Sequence, residues 1–165
     1  FTKSSIEKQL NPKSEEICFQ EAWIDDQTPE DIANFVQNFR DKGAYDVSYK
    51  AINMKKDRVG FSIQAIVPVE KKDYFRDLWF HCSNTIGVRE RLQSRWILLR
   101  RSGTCSTNLG KIKVKQTLKP DGSIATKPEN DEILRLKKEH NISIEEIRNI
   151  VRESSTNFIP SEDWK

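Results

Sequence analysis

The chain has only three cysteines, two histidines and one methionine, and no run of apolar residues long enough to span a bilayer, and each scarcity removes a class of protein. Cys18, Cys82 and Cys105 are odd in number, widely spaced and without a C-x-x-C pair. Neither a disulfide framework nor a structural zinc site is predicted, and a reducing cytoplasm is the expected compartment. His81 has only Cys82 beside it and His140 has no such neighbour, so no transition-metal cage is expected; Cys82 is read as a core residue and both histidines as surface groups. G-x-x-x-x-G-K-[ST] and G-x-G-x-x-G are both absent, which removes the usual nucleotide fingerprints. The K/R-G-F/Y-G/A-F signature of RNA-recognition domains is missing too, and Phe35, Phe39, Phe75 and Trp79 fall on helical stripes, so nucleic acid is not the expected partner. The opening residues Phe1-Thr2-Lys3-Ser4-Ser5 lack an initiator methionine and a signal-peptide apolar region, which reads as a segment of a longer polypeptide.

What is present supports a packed interior. With 165 residues, 36% of them hydrophobic and 32% charged, the chain suffices for one domain with a core plus a small appendage. Its net charge of +3 is unevenly spread. Gly87 to Lys127 holds ten basic residues against two acidic ones, while the remainder is net acidic. That basic stretch is a candidate anion-binding surface, or equally an edge strand guarded by lysines.

The periodicity predicts an α+β fold. Ile17–Ile24 reads as a strand, and Thr28-Pro29-Glu30-Asp31 as a capped helix start carrying Ile32, Phe35, Val36 and Phe39 on one stripe. Two strands follow, with Tyr45, Val47, Tyr49 and Ala51 alternating in the first and Phe61, Ile63, Ala65 and Val67 in the second. A second helix carries Phe75, Leu78, Trp79 and Cys82, and one long strand runs from Val88 to Arg101. This order is that of a ferredoxin-like split βαβ sandwich. Beyond it lie an added β-hairpin, Lys111–Lys115 with a turn at Pro120–Ser123, and C-terminal helices, the second opened by the capping box Ser143–Glu146. The expected organisation is a linker at 1–15, a domain at 16–153 divided into a core (16–102) and an extension (103–153), and a flexible tail at 154–165.

Two loci carry candidate chemistry. Asp25 and Asp26 follow a strand and precede the helix cap. Strand alternation would turn them to opposite sides, so that one faces a given pocket, and a carboxylate there suits a hard divalent cation that also touches phosphate oxygens. The same pair also reads as an Asx-type turn that stabilises the helix dipole. Thr85-Ile86-Gly87-Val88-Arg89 combines a hydroxyl, a glycine that permits close approach and an arginine, the parts of a phosphate nest. Lys55, Lys56 and Arg58 form a cationic cluster in a strand connection, either a triphosphate clamp or a solvated hairpin tip.

Five separated blocks resemble the C-terminal domain of the LarC family, nickel-insertion proteins of the nickel-pincer cofactor. They are Ile24–Ile32, Lys42–Val47, Met54–Arg58, Thr85–Arg89 and Lys127-Pro128-Glu129, covering residues 16 to 153 in order. The resemblance implies a lyase, a CTP-dependent cyclometallase that puts Ni²⁺ into pyridinium-3,5-bisthiocarboxylic acid mononucleotide while cleaving CTP to CMP and pyrophosphate. It further implies a ferredoxin-like domain that assembles as a homo-oligomer, a trimer or a dimer of trimers, and binds CTP with Mn²⁺ or Mg²⁺. On that pattern Asp25 and Asp26 hold the cation, Lys55, Lys56, Thr85, Arg89, Lys111 and Lys113 neutralise the triphosphate, and Glu129 orders the site. The chain departs from the family where Asp57-Arg58-Val59 stands in place of glycine, arginine and proline, and where Ser83-Asn84-Thr85 stands in place of repeated threonines. A non-catalytic oligomerisation module is the alternative reading.

Overall fold

The computed structural model of the chain describes residues 12–165. Of the expected linker, residues 1–11 lie outside the described residues, and Lys13 already opens the first strand, β1 (Lys13–Ile24). The chain divides into two compact units, one spanning Ser14–Arg95 and the other containing Trp96–Lys165.

The first unit runs β1, α1 (Pro29–Asp41), β2 (Asp46–Asn53), β3 (Val59–Pro68), α2 (Lys72–Cys82) and β4 (Arg89–Ile97). Its sheet has the order β2-β3-β1-β4, and β3 is antiparallel to both β1 and β2. This is the split βαβ arrangement that the element order predicts. Helix α1 starts where it does because Thr28 accepts from the Asp31 amide while the Asp31 carboxylate accepts from the Thr28 amide. Such a reciprocal cap contributes about 1 kcal/mol, and Pro29 adds a preset φ at the first helical position. The apolar stripe Ile32, Phe35, Val36 and Phe39 then packs with Phe75 and Trp79 of α2 against Cys18, Ala22, Ile24, Val47, Ile63, Ala65 and Val67 of the sheet.

One polar side chain is fully enclosed among them. Gln20 accepts from Trp79 Nε1 at 3.0 Å and donates both to the Lys72 carbonyl and to Glu90 Oε2, each at 2.8 Å. Glu90 in turn accepts from Arg76 Nε at 3.1 Å and from Arg76 Nη2 at 2.7 Å. Every polar atom of the buried amide is thus occupied. Cys82 does not enter the core as expected. It is the last residue of α2 and exposed, with the polar Asn38 side chain 3.5 Å from its sulfur. His81 and His140 are both exposed, as read from the sequence.

The second unit is larger than a hairpin with helices. Its sheet has the order β7-β6-β5-β8, built from β5 (Arg100–Thr107), β6 (Gly110–Leu118), β7 (Ile124–Pro128) and β8 (Phe158–Pro160). The helices α3 (Asn130–His140) and α4 (Ile144–Glu153) bury Ile133, Leu136, Ile147 and Val151 against Cys105, Ile112 and Val114.

Two expectations change here. The single strand predicted from Val88 to Arg101 is broken between Ile97 and Arg100, so that β4 joins the first sheet and β5 the second. The stretch 154–165, expected as a flexible tail, supplies β8, and beyond it the Lys165 and Arg100 backbones exchange hydrogen bonds of 2.9 and 3.0 Å. Its anchor is Phe158, which packs on the apolar cluster and lies so close to Gly103 that a β-carbon there would strike the ring. Among the described residues, no helix is long and apolar enough to cross a membrane.

Candidate functional site

In the first unit the end of β1, the loop before β4 and the start of β4 enclose a cavity of about 500 Å³. Asp25, Asp26, Thr85, Gly87 and Arg89 line it, together with Trp23, Met54 and Asn84. Four of the predicted site residues, Asp25, Asp26, Thr85 and Arg89, are therefore brought together from segments about 60 residues apart in the chain.

The two aspartates both line the cavity, against the expectation that they face opposite sides. Strand alternation does not apply to them, because β1 ends at Ile24 and Asp25–Gln27 is a bend. Asp25 Oδ2 accepts from Arg58 Nη1 at 3.2 Å. The Asn84 amide reaches the Asp26 carbonyl at 3.5 Å, tying the two loops. Next to them Gln27 Oε1 is buried with no hydrogen-bond partner among the described residues. Gln27 does not line the cavity, whereas the two carboxylates that do are hard donors of the kind Mg²⁺ and Mn²⁺ take, so they fit such an ion. Among the described residues no group of three or more His, Cys, Asp or Glu side chains is placed to hold a metal ion.

In the same lining the Arg89 guanidinium lies 4.3 Å from the centre of the Trp23 ring. Trp23 is itself held, since its Nε1 donates to Glu21 Oε1 at 3.0 Å, and the same oxygen accepts from Ser62 at 2.8 Å. Partial burial raises the Glu21 pKa, but the hydrogen bonds from Trp23, Ser62 and Gln64 outweigh it, and the net shift is below the ordinary carboxylate value. Glu21 therefore stays ionised and fixes the indole on which Arg89 rests. Arg91 over Phe19 and Arg95 over Tyr45 repeat the stacking along the same strand.

Hydroxyls close the loop before β4 on itself: Thr85 Oγ1 donates to the Gly87 carbonyl at 2.9 Å and accepts from the Gly87 amide at 3.3 Å, and Ser83 Oγ accepts from the Thr85 amide at 3.3 Å. A β-carbon on Gly87 would meet nothing within 4 Å, so this glycine opens space beside the cavity. Gly60 behaves differently. A β-carbon there would lie 2.7 Å from the Ile24 carbonyl and from Met54 Sδ, and 3.1 Å from the Asp25 β-carbon.

Lys55 and Lys56 do not line this cavity. They sit in a 3₁₀ turn, Lys55–Asp57, and the turn stands at the Asp25 end of the sheet, since Arg58 and Met54 on either side of it reach that corner. Lys56 and Asp57 take positive φ values of 61° and 56°. Lys111, Lys113 and Glu129 belong to the second unit. There the Glu129 amide donates to the Lys113 carbonyl at 3.0 Å, and the Glu129 carboxylate lies 3.7 Å from Lys115 Nζ. Trp23 and Asn84, to which the sequence assigned no ligand role, and Arg58, read there as part of a possible triphosphate clamp, complete the corner. Only Arg58 carried a signal, as the fork donor of its cationic cluster.

Comparison with known proteins gives concordant results. The family model described as "Nickel insertion protein" matches residues 2–148. A putative nickel insertion protein of Enterococcus faecalis is 29% identical over 92% of this chain and 46% of its own length. A Staphylococcus epidermidis protein named as a pyridinium-3,5-bisthiocarboxylic acid mononucleotide nickel insertion protein is 33% identical over 79% of this chain and 33% of its own length. The chain thus spans a third to a half of the length of these relatives. Among solved structures, it is similar to the apo form of LarC2, described as the C-terminal domain of a cyclometallase in synthesis of the NPN cofactor of lactate racemase. The TM-score is 0.77 at 27% identity, covering 87% of this chain and 99% of that one. Protein MK0293 of Methanopyrus kandleri shares the fold, with a TM-score of 0.69 at 16% identity over 94% of this chain.

Proposed function

Because the chain belongs to the nickel insertion protein family, we propose that it is the C-terminal part of a CTP-dependent cyclometallase and binds CTP with a divalent cation at the Asp25–Arg89 cavity. The observation that carries this reading is the convergence of two aspartates, the Thr85–Gly87 loop and a stacked arginine on one cavity. Nickel is the cargo. Its acceptor is pyridinium-3,5-bisthiocarboxylic acid mononucleotide, the compound in the name of the S. epidermidis relative. The expected setting is the cytoplasm and the expected state a trimer or dimer of trimers.

In this reading Asp25 and Asp26 hold Mn²⁺ or Mg²⁺. The bound ion would neutralise part of the triphosphate charge. Arg89 presents its guanidinium to the phosphates from a position fixed by Trp23, and Thr85 and Gly87 shape the loop around them. Arg58 exchanges Asp25 for a phosphate oxygen once the nucleotide is in place. Lys55 and Lys56, on the turn at the same end of the sheet, contribute positive potential rather than walls to the cavity. Lys111, Lys113 and Glu129 stand in the other unit and are given no part in this cavity.

Calorimetry of the chain with CTP in the presence and absence of Mn²⁺ tests the proposal. Binding that requires Mn²⁺ and falls at least about tenfold in Asp25→Ala, a change of 1.4 kcal/mol, is the expected result. Absence of CTP binding with Mn²⁺, in a chain that still oligomerises, would overturn it in favour of a non-catalytic assembly module.

A further inference from the structure

Strand β8 is only three residues long, yet the segment that carries it follows the edge of β5 from Cys105 back to Arg100. Phe158, Ile159 and Pro160 pair with Cys105, Thr104 and Gly103. Beyond them the Ser161 amide donates to the Ser102 carbonyl at 3.0 Å, and the Glu162 carboxylate accepts from the Ser102 amide at 2.8 Å. The Arg100 and Lys165 backbones close the ladder. This segment lies beyond residues 2–148, the stretch matched to the family.

The edge of β5 is shaped for such an occupant. Gly103 has no side chain where a β-carbon would strike the Phe158 ring and the Ile159 carbonyl. Arg101 sets its guanidinium 4.9 Å from the centre of the Phe158 ring and 4.3 Å from that of Trp164, while its Nε and Nη2 donate to Gln116 Oε1 at 3.0 and 2.9 Å. The edge therefore reads an extended segment with an aromatic residue, a carboxylate four positions on and a second aromatic two beyond that. The hold on the segment is light. Ile159 and Pro160 are exposed, Phe158 is the residue that packs on the apolar cluster, and a single 3₁₀ turn, Ser155–Asn157, joins the segment to α4. A segment with so few buried apolar contacts opens at low cost.

We propose that the edge of β5 is a strand-acceptor site that takes residues 154–165 of a second copy of the chain in exchange for its own. A second copy offers the same aromatic, carboxylate and backbone groups by identity, and exchange of an identical element is a low-cost route between copies. Tethering gives the chain's own segment an effective concentration of about millimolar, so exchange sets in at high chain concentration or when that segment is weakened. None of these residues lines the Asp25–Arg89 cavity, so the inference stands apart from the CTP reading.

A fluorescent peptide of residues 154–165, titrated into the 165-residue chain and followed by anisotropy, tests the acceptor. The variant Phe158→Ala/Trp164→Ala, with a weakened segment and an intact edge, is expected to bind the peptide at least about tenfold tighter than the wild type, and adding Gly103→Val should abolish that binding. Mixed one to one, Gly103→Val, with its blocked edge and intact segment, and Phe158→Ala/Trp164→Ala should sediment as an assembly larger than either forms alone. Native-state hydrogen exchange of the wild type needs no variant: the Arg100, Ser102, Ser161 and Lys165 amides should open together, well before global unfolding. Opening of those amides only with the whole chain, peptide binding no tighter to the double variant than to the wild type, equal binding of a scrambled peptide, or no larger assembly in the mixture would overturn the proposal.

Discussion

Arg58 Nη1 donates to Asp25 Oδ2 at 3.2 Å, joining the end of β1 to the start of β3. The guanidinium is 60% exposed and the carboxylate 25% exposed, so the pair is screened and contributes under about 1 kcal/mol. It is weak enough to open when a metal-bound triphosphate offers both partners better company.

Opposite effects on the two ligands are therefore expected from Arg58→Gln. Freed of its cation, Asp25 should bind Mn²⁺ alone several-fold more tightly, while CTP with Mn²⁺ binds several-fold more weakly because a phosphate partner is lost. Titrations of the variant with Mn²⁺, with and without nucleotide, measure both. If the two affinities moved in the same direction, the exchange of partners would be wrong.

Gly87 and Gly60 border the same corner for different reasons, and alanine separates them. Gly87 has open space where a β-carbon would go, so Gly87→Ala should alter stability by no more than about 0.5 kcal/mol yet lower affinity for CTP. Gly60→Ala meets the Ile24 carbonyl, a backbone atom that cannot move aside, and should destabilise by about 1–3 kcal/mol. Urea unfolding and nucleotide titration of both variants check this, and an unchanged CTP affinity in Gly87→Ala would remove the Thr85–Gly87 loop from the site.

Inside the core the test position is Gln20. Replacing it by Leu leaves Trp79 Nε1 and the Lys72 carbonyl without their partner and removes one donor to Glu90. The expected loss is about 1–3 kcal/mol, read from the denaturant midpoint, with CTP binding retained. A neutral substitution would mean that the network contributes nothing beyond filling space.

The first unit was readable because its signals are local. The Thr28 cap, the stripe from Ile32 to Phe39 and the alternation in β3 each lie within one element, and together they name the ferredoxin-like order. The second sheet was less legible for the converse reason. Phe158 meets Cys105 across about 50 residues, and no local pattern in the Ser154–Lys165 segment announces a three-residue strand. The break between β4 and β5 was hidden because Trp96-Ile97-Leu98-Leu99 continues an apolar pattern through it. At the cavity, Asp25, Asp26, Thr85 and Arg89 were visible as residue types. Their meeting at one cavity and the Trp23 platform under Arg89 depend on strand pairing, which short-range patterns do not encode.

Acid should weaken the first unit through Glu90. Hydrogen bonds from Arg76 hold its pKa below the ordinary carboxylate value, partial burial opposes them, and the donor from Gln20 adds to the lowering. A carboxyl whose folded pKa is depressed contributes stability that is fully present above its unfolded value of about 4.3 and is lost as pH falls through the folded value. The wild-type denaturant midpoint should therefore be level near neutrality and decline below about pH 4.3. Glu90→Gln removes this titration. Its midpoint should be lower at neutral pH, because Arg76 loses a charged partner, and its decline in acid should be shallower than that of the wild type. Parallel acid limbs in the two proteins would show that other carboxylates, such as Glu132 beside Arg135, set the acid sensitivity instead.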